Sequence, residues 1–162
     1  MKTILTLAGG IIILGLIILG FAVMGNNKKQ VAGYKSDDPN APKLEIAEKR
    51  FDFGKITLQD IAKHEFKLKN TGKNPLVIYD IMTSCHCTSA KLKVPGQADS
   101  PEFTMGMSDW NEEIPPEIEG IIEVVYTPAT MPVSGKISRV VTFNTNDPNN
   151  QHLQLEIIAE VE

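Results

Sequence analysis

"QHLQLEIIAEVE", residues 151–162, decides how the rest of this chain is read. Leu153, Leu155, Ile157, Ala159 and Val161 fall on one side of an extended chain, and Gln154, Glu156 and Glu160 on the other. Successive side chains of a strand point to opposite faces. A period of two therefore predicts a strand with one face on a core and the other in water.

The same period recurs upstream. "KLEIAE" (43–48) sets Leu44 and Ile46 together, and "RFDFGKI" (50–56) does so for Phe51 and Phe53, with Gly54 as a bend or bulge. "AKHEFKLKNTG" (62–72) alternates around Phe66 and Leu68 and stops at the turn signal Asn70-Thr71-Gly72. "NPLVIYDIM" (74–82) is apolar on both faces and reads as a central strand. "GIIEVVYTP" (120–128) groups Ile122, Val124 and Tyr126, and "GKISRVVTFNTND" (135–147) runs into a turn at Asn146, Asp147 and Pro148. About seven or eight short strands with turns between them predict an all-β, antiparallel immunoglobulin-like β-sandwich over residues 43–162. Residues 94–117, "VPGQADSPEFTMGMSDWNEEIPPE", have no clear period and form an irregular insert. So long a loop in a small sandwich tends to be functional or mobile.

At the other end of the chain, Ile4 to Met24 carry no charge. A run of roughly 20 apolar residues is long enough to cross the hydrocarbon core as a helix. Residues 1–25 are therefore expected to be a transmembrane anchor, with a cleaved signal sequence as the other reading. No clean small-x-small site closes the stretch, and no Cys follows it to accept a lipid. Residues 26–42 are polar and turn-rich and read as a linker, with Lys28 and Lys29 at the level of the headgroups. The lysines on either side give no clear orientation. A short span followed by an all-β domain places the domain on the exported side of the cell membrane. The 162 residues suit one domain plus this appendage. A net charge of −4, with no basic cluster beyond the N-terminal region, excludes nucleic acid as the expected partner.

The ordered set "FDFGKI" (51–56), "KNTGKNPLVI" (69–78), "SCHCT" (84–88), "GIIEVVY" (120–126) and "NTND" (144–147) resembles the bacterial exported domain-of-unknown-function family fifteen-seventy-three. The resemblance runs over residues 44–161. It implies an immunoglobulin-type sandwich akin to PapD-like and major-sperm-protein-like modules, and an exported location; it implies no activity. The family pattern S-C-G-C-T has His86 in place of its Gly here. The family's Pro-Gly before the later strand is replaced by Pro115-Pro116-Glu117.

The chemistry is concentrated in "TSCHCTSA", residues 83–90, which hold both cysteines of the chain. Three readings stand side by side. As a metal site, Cys85 and Cys87 offer two soft thiolates on one face of an extended segment, with His86 on the other. A structural zinc site takes four ligands, whereas copper(I) needs fewer; Met82, Met105 and Met107 are the candidate thioether donors. As a redox site, the pair is a disulfide candidate in an oxidising compartment, closed across a bent loop at some strain. It lacks the C-x-x-C spacing at a helix start that catalytic dithiols favour. As a structural feature, the pair fixes a strand-end turn or packs as two small apolar groups. The remaining histidines, His64 and His152, and the carboxylates Asp52, Asp60, Asp80 and Asp147 are dispersed. No nucleophile elbow, phosphate-cradling loop or zinc-protease motif is present.

The sequence therefore predicts a non-catalytic, membrane-anchored binding or scaffolding module of the cell envelope that needs no cofactor. Met105, Met107 and Trp110 in the insert are the candidate contacts for a protein partner. Trp110 has a second reading as cover for the sandwich's edge. A protein that handles copper(I) or exchanges thiols through Cys85 and Cys87 is the alternative.

Overall fold

Alternation along each strand becomes two facing sheets in the computed structural model, which describes residues 31–106 and 108–162. The expected anchor at residues 1–25 and the first part of the linker, residues 26–30, lie outside the described residues. Among those described, no helix is long and apolar enough to cross a membrane.

The strands are β1 (Leu44–Ile46), β2 (Arg50–Ile56), β3 (Ala62–Asn70), β4 (Leu76–Thr83), β5 (Thr88–Lys93), β6 (Asn111–Ile114), β7 (Glu119–Tyr126), β8 (Gly135–Thr145) and β9 (His152–Val161). One sheet has the order β1-β3-β7-β5 and the other β2-β9-β8-β4-β6. The inner faces are those the alternation marked. Leu153, Leu155, Ile157, Ala159 and Val161 of β9 are buried, as are Ile122, Val124 and Tyr126 of β7 and Phe66 and Leu68 of β3. Each large apolar side chain taken from water in this way contributes about 1.5–3 kcal/mol. β4, apolar on both faces, is paired on both edges, by β8 and β6.

Two expectations are corrected. The described residues form nine strands rather than seven or eight, because the insert is not wholly irregular. Its "NEEI" pairs antiparallel with β4 from Leu76↔Ile114 to Tyr79↔Asn111. Four residues with three polar ones carry no legible alternation. The strand is formed by its neighbour's open ladder rather than by its own pattern. The sandwich is also not purely antiparallel, since β2 runs parallel to β9. Side-chain alternation is the same in either direction, so it carries no information on ladder polarity. Gly54, at φ +67°, sits where the β2–β9 register shifts between Asp52 and Lys55, which is the bulge its type implied.

The domain also begins earlier than residue 43. Ala41 and Pro42 are buried against the turn after β3. A Cβ on Gly72 would meet the Ala41 carbonyl oxygen at 2.5 Å, so only glycine admits this crossing.

The turns at this end are tied by buried polar groups. Asn70, fully buried, donates to the carbonyls of Asn74 and Ile114 at 2.9 Å each and accepts from the Gly72 amide at 3.0 Å. Asp147 accepts from the amides of Leu44 and Asn149 and from Asn150 Nδ2, all at 2.9 Å. Elsewhere, on the surface, Asp52 and Asp60 accept from the amides of Gly54 and Thr57. On the outer face of the smaller sheet, Lys93 donates to Glu123 at 2.8 Å. That hydrogen bond holds the Glu123 carboxyl below its ordinary value and the Lys93 ammonium above its own.

Asn70→Ala should cost about 2–4 kcal/mol in urea unfolding, because it strips partners from several buried backbone groups at once. Gln154→Ala on the wet face of β9 should stay within about 0.5 kcal/mol. Stability from Glu123 is in place above the ordinary carboxylate range and is lost as pH falls through its lowered value. Stability from Lys93 is in place below the ordinary lysine value and is lost as pH rises through its raised one. Glu123→Gln should therefore flatten the acid limb of a stability–pH curve measured by thermal melting.

Candidate functional site

β4 ends at Thr83 and β5 begins at Thr88, and the chain passes between the two sheets through Ser84-Cys85-His86-Cys87. The start of β5 lies beside the end of β7 (Thr88↔Tyr126), which lies beside the start of β3 (Ala62↔Tyr126). The loops 57–61, 84–87 and 127–134 therefore gather at one end of the sandwich. Thr127 N donates to the Cys87 carbonyl at 2.9 Å, and Thr83 N to the Thr104 carbonyl at 3.2 Å. These bonds bring the following loop and part of the insert to the same place.

The cysteine loop is closed and tied down. Cys85 and Cys87 are joined by a disulfide, with their Cα atoms 5.2 Å apart. The Thr83 hydroxyl lies 2.8 Å from the Cys85 carbonyl and 3.0 Å from the Thr88 carbonyl, its one proton shared between them. The Thr88 hydroxyl is 3.3 Å from Cys85 Sγ. Ser84 ties the loop to β8 twice: its amide donates to the Val140 carbonyl at 2.9 Å, and its hydroxyl accepts from the Val140 amide at 3.0 Å. Both cysteines are buried, Cys85 at 7% exposure and Cys87 at 2%, while His86 stands out in solvent. His86 is split from the two sulfurs by a turn, which Thr88 N closes on the Cys85 carbonyl at 3.4 Å, rather than by the alternation of an extended segment.

Sequence reasoning missed Arg139. It is in register with Val141 and Phe143 on the inner face of β8 but lies at the open end, half-buried. Its Nε donates to Cys87 Sγ at 3.3 Å, and one terminal nitrogen donates to the Ser138 carbonyl at 2.9 Å. Its guanidinium carbon stands over the Tyr126 ring, 5.9 Å from the centroid. The described residues form no ion pair with it. Tyr126 is fully buried, and its hydroxyl has no hydrogen-bond partner. Burial raises the Tyr126 phenol above its ordinary value, and the nearby Arg139 charge pulls it partly back. The signal for Arg139 was in the parity of "ISRVVTF": a charged residue in register with an apolar face.

The other candidates are dispersed. Met82 is half-buried in β4 opposite Thr142, Met105 is 48% exposed, and Met107 lies outside the described residues. With Cys85 and Cys87 bonded to each other, neither sulfur is a thiolate, so a copper(I) site would require the reduced pair. No group of three or more His, Cys, Asp or Glu among the described residues is arranged to hold a metal ion. His64 stacks on Phe51 at 3.6 Å and pairs with Glu48 at 2.6 Å; His152 pairs with Asn144 at 2.7 Å. Trp110 is half-buried, its ring 5.2 Å from that of Phe103, which matches the covering role. The exposed large apolar residues among those described are Ile61, Met105, Met131 and Val133. All four lie in the segments gathered at the disulfide end.

Comparison with known proteins agrees with this fold. Residues 44–99, from β1 through β5, match the model of a family described as "Protein of unknown function (DUF1573)". No curated protein matches the chain. The structure is similar to a protein of unknown function from Porphyromonas gingivalis W83, with a TM-score of 0.57 and 16% identity over 83% of this chain and 51% of that one. The chain thus spans about half the length of that protein. It is also similar to the ASH / PapD-like domain 7 of human CEP192, with a TM-score of 0.50 and 11% identity over 82% of this chain and 92% of that one. These likenesses show the fold.

The disulfide spans a sequence separation of only two, so the unfolded chain loses little entropy to it. Reduction should lower the unfolding free energy by about 1.5 kcal/mol and leave the domain folded. Ile122→Ala, which opens a cavity in the core, should cost about 3–4 kcal/mol. Urea titrations with and without reductant check both values.

Proposed function

We propose that this chain is a non-catalytic protein-binding module of the cell envelope, held at the exported face of the membrane by residues 1–25. The observation that carries the binding role is the gathering of Ile61, Met105, Met131 and Val133 at one end of the sandwich. Large apolar side chains left in water together, on loops positioned by a rigid scaffold, suit a protein partner. The immunoglobulin-like fold and its unpaired sheet edges are also compatible with a partner adding a strand. The closed cysteine pair supports the exported side, where disulfides persist.

A photo-crosslinking residue at Met131 should give a discrete adduct in intact cells, and one at Gln154 should not. Equal labelling at both positions, or none at Met131, would remove the docking role from that end. Protease added to intact protoplasts should digest residues 31–162; protection until the membrane is opened would place the domain on the cytoplasmic side.

A further inference from the structure

The disulfide end holds a charged group that neither the packing of the sandwich nor the docking of a partner requires. Arg139 occupies a position on the inner face of β8 where its neighbours are apolar, and its Nε–H is directed at one sulfur of the pair, Cys87, at 3.3 Å. A neutral disulfide sulfur is a weak acceptor for a guanidinium N–H. The same hydrogen bond becomes strong when the acceptor is a thiolate. Asymmetry points the same way. Cys85 is the more exposed residue of the two, and the Thr88 hydroxyl, an uncharged group, lies 3.3 Å from its sulfur. Cys87 is the more sheltered and has the cation.

We propose that Cys85–Cys87 is a thiol–disulfide exchange site, in which Cys85 takes the incoming sulfur and Arg139 receives Cys87 as the departing thiolate. The thiolate of a small thiol or of a cysteine-bearing peptide attacks Cys85 Sγ. A bond forms between the incoming sulfur and Cys85 Sγ as the Cys85–Cys87 bond breaks, and the electron pair of that bond passes to Cys87 Sγ. The incoming thiol is oxidised to the level of a mixed disulfide, and Cys87 is reduced to a thiolate, which the Arg139 Nε–H holds. No proton moves at the transfer itself. Lowering the basicity of the leaving sulfur speeds such a step. Arg139 is thus a positioning residue that acts through the leaving group, and the reaction does not depend on any partner docking at the neighbouring loops.

The test uses the full chain in detergent with reduced glutathione as the probe. Rapid acid quenching and peptide mapping of the wild type should find glutathione on Cys85 in large excess over Cys87. Arg139→Gln should slow opening by about threefold or more and shift the exchange equilibrium towards the closed disulfide by about tenfold. Arg139→Lys should recover most of both. A merely structural arginine would lower the melting temperature in Arg139→Gln without moving the exchange equilibrium. Glutathione found mainly on Cys87 in the wild type, or an equilibrium unchanged in Arg139→Gln, would overturn the assignment. The wild-type mapping decides the direction of attack even if Arg139→Gln fails to fold.

Discussion

The inner faces of β7 and β9 must be covered at the same time, and each is the other sheet's means of doing so. Ile122, Val124 and Tyr126 from one sheet and Leu153, Leu155 and Ile157 from the other belong to one buried cluster. A one-residue slip of either strand would turn its apolar set to water and its glutamates inward. Register is therefore fixed by burial in both sheets, and the remaining strands take their places on these two. β3 and β5 flank β7, and β8 and β2 flank β9. Buried Asn70 and Asp147 then hold the turns at one end by bonding backbone groups the ladders leave open.

At the opposite end the core is closed differently. Apolar strands give way to a disulfide loop, a guanidinium and the ring of Tyr126. This end has an unpartnered buried hydroxyl and carries the exposed apolar side chains on its loops. Stability and interaction are thus divided between the two ends of one sandwich. The covalent bond of the pair contributes little to the first, because the loop it closes is so short. Its chemical value lies in which sulfur faces the cation.

The strands that pack by alternation were legible in the sequence: β9, β7 and β3 lie where Leu155, Val124 and Phe66 place them. β6 was not, because "NEEI" becomes a strand only through the open edge of β4. The parallel pairing of β2 with β9 was not, because alternation is blind to direction. Of the site, the pairing of Cys85 with Cys87 across a bent loop was among the readings the sequence offered. Arg139 escaped notice because it lies 52 residues from Cys87. Its meaning depends on which loop the open end of β8 meets, and that is a property of the fold. Trp110 and the methionines of the insert drew attention as the rarer residues. The structure sets Trp110 against Phe103, whereas Ile61, Met131 and Val133, unremarkable in the sequence, take the exposed positions.

The claim that joins these observations is that Arg139 senses the state of the cysteine pair while the core does not. Nuclear magnetic resonance of the Arg139 Nε–H group, followed as the pair is reduced, tests it most directly. The account predicts a large displacement of that signal on reduction, with the amides of Leu155 and Val124 unmoved. An Arg139 signal indifferent to reduction, or one that shifts only together with a general loss of the core resonances, would contradict it.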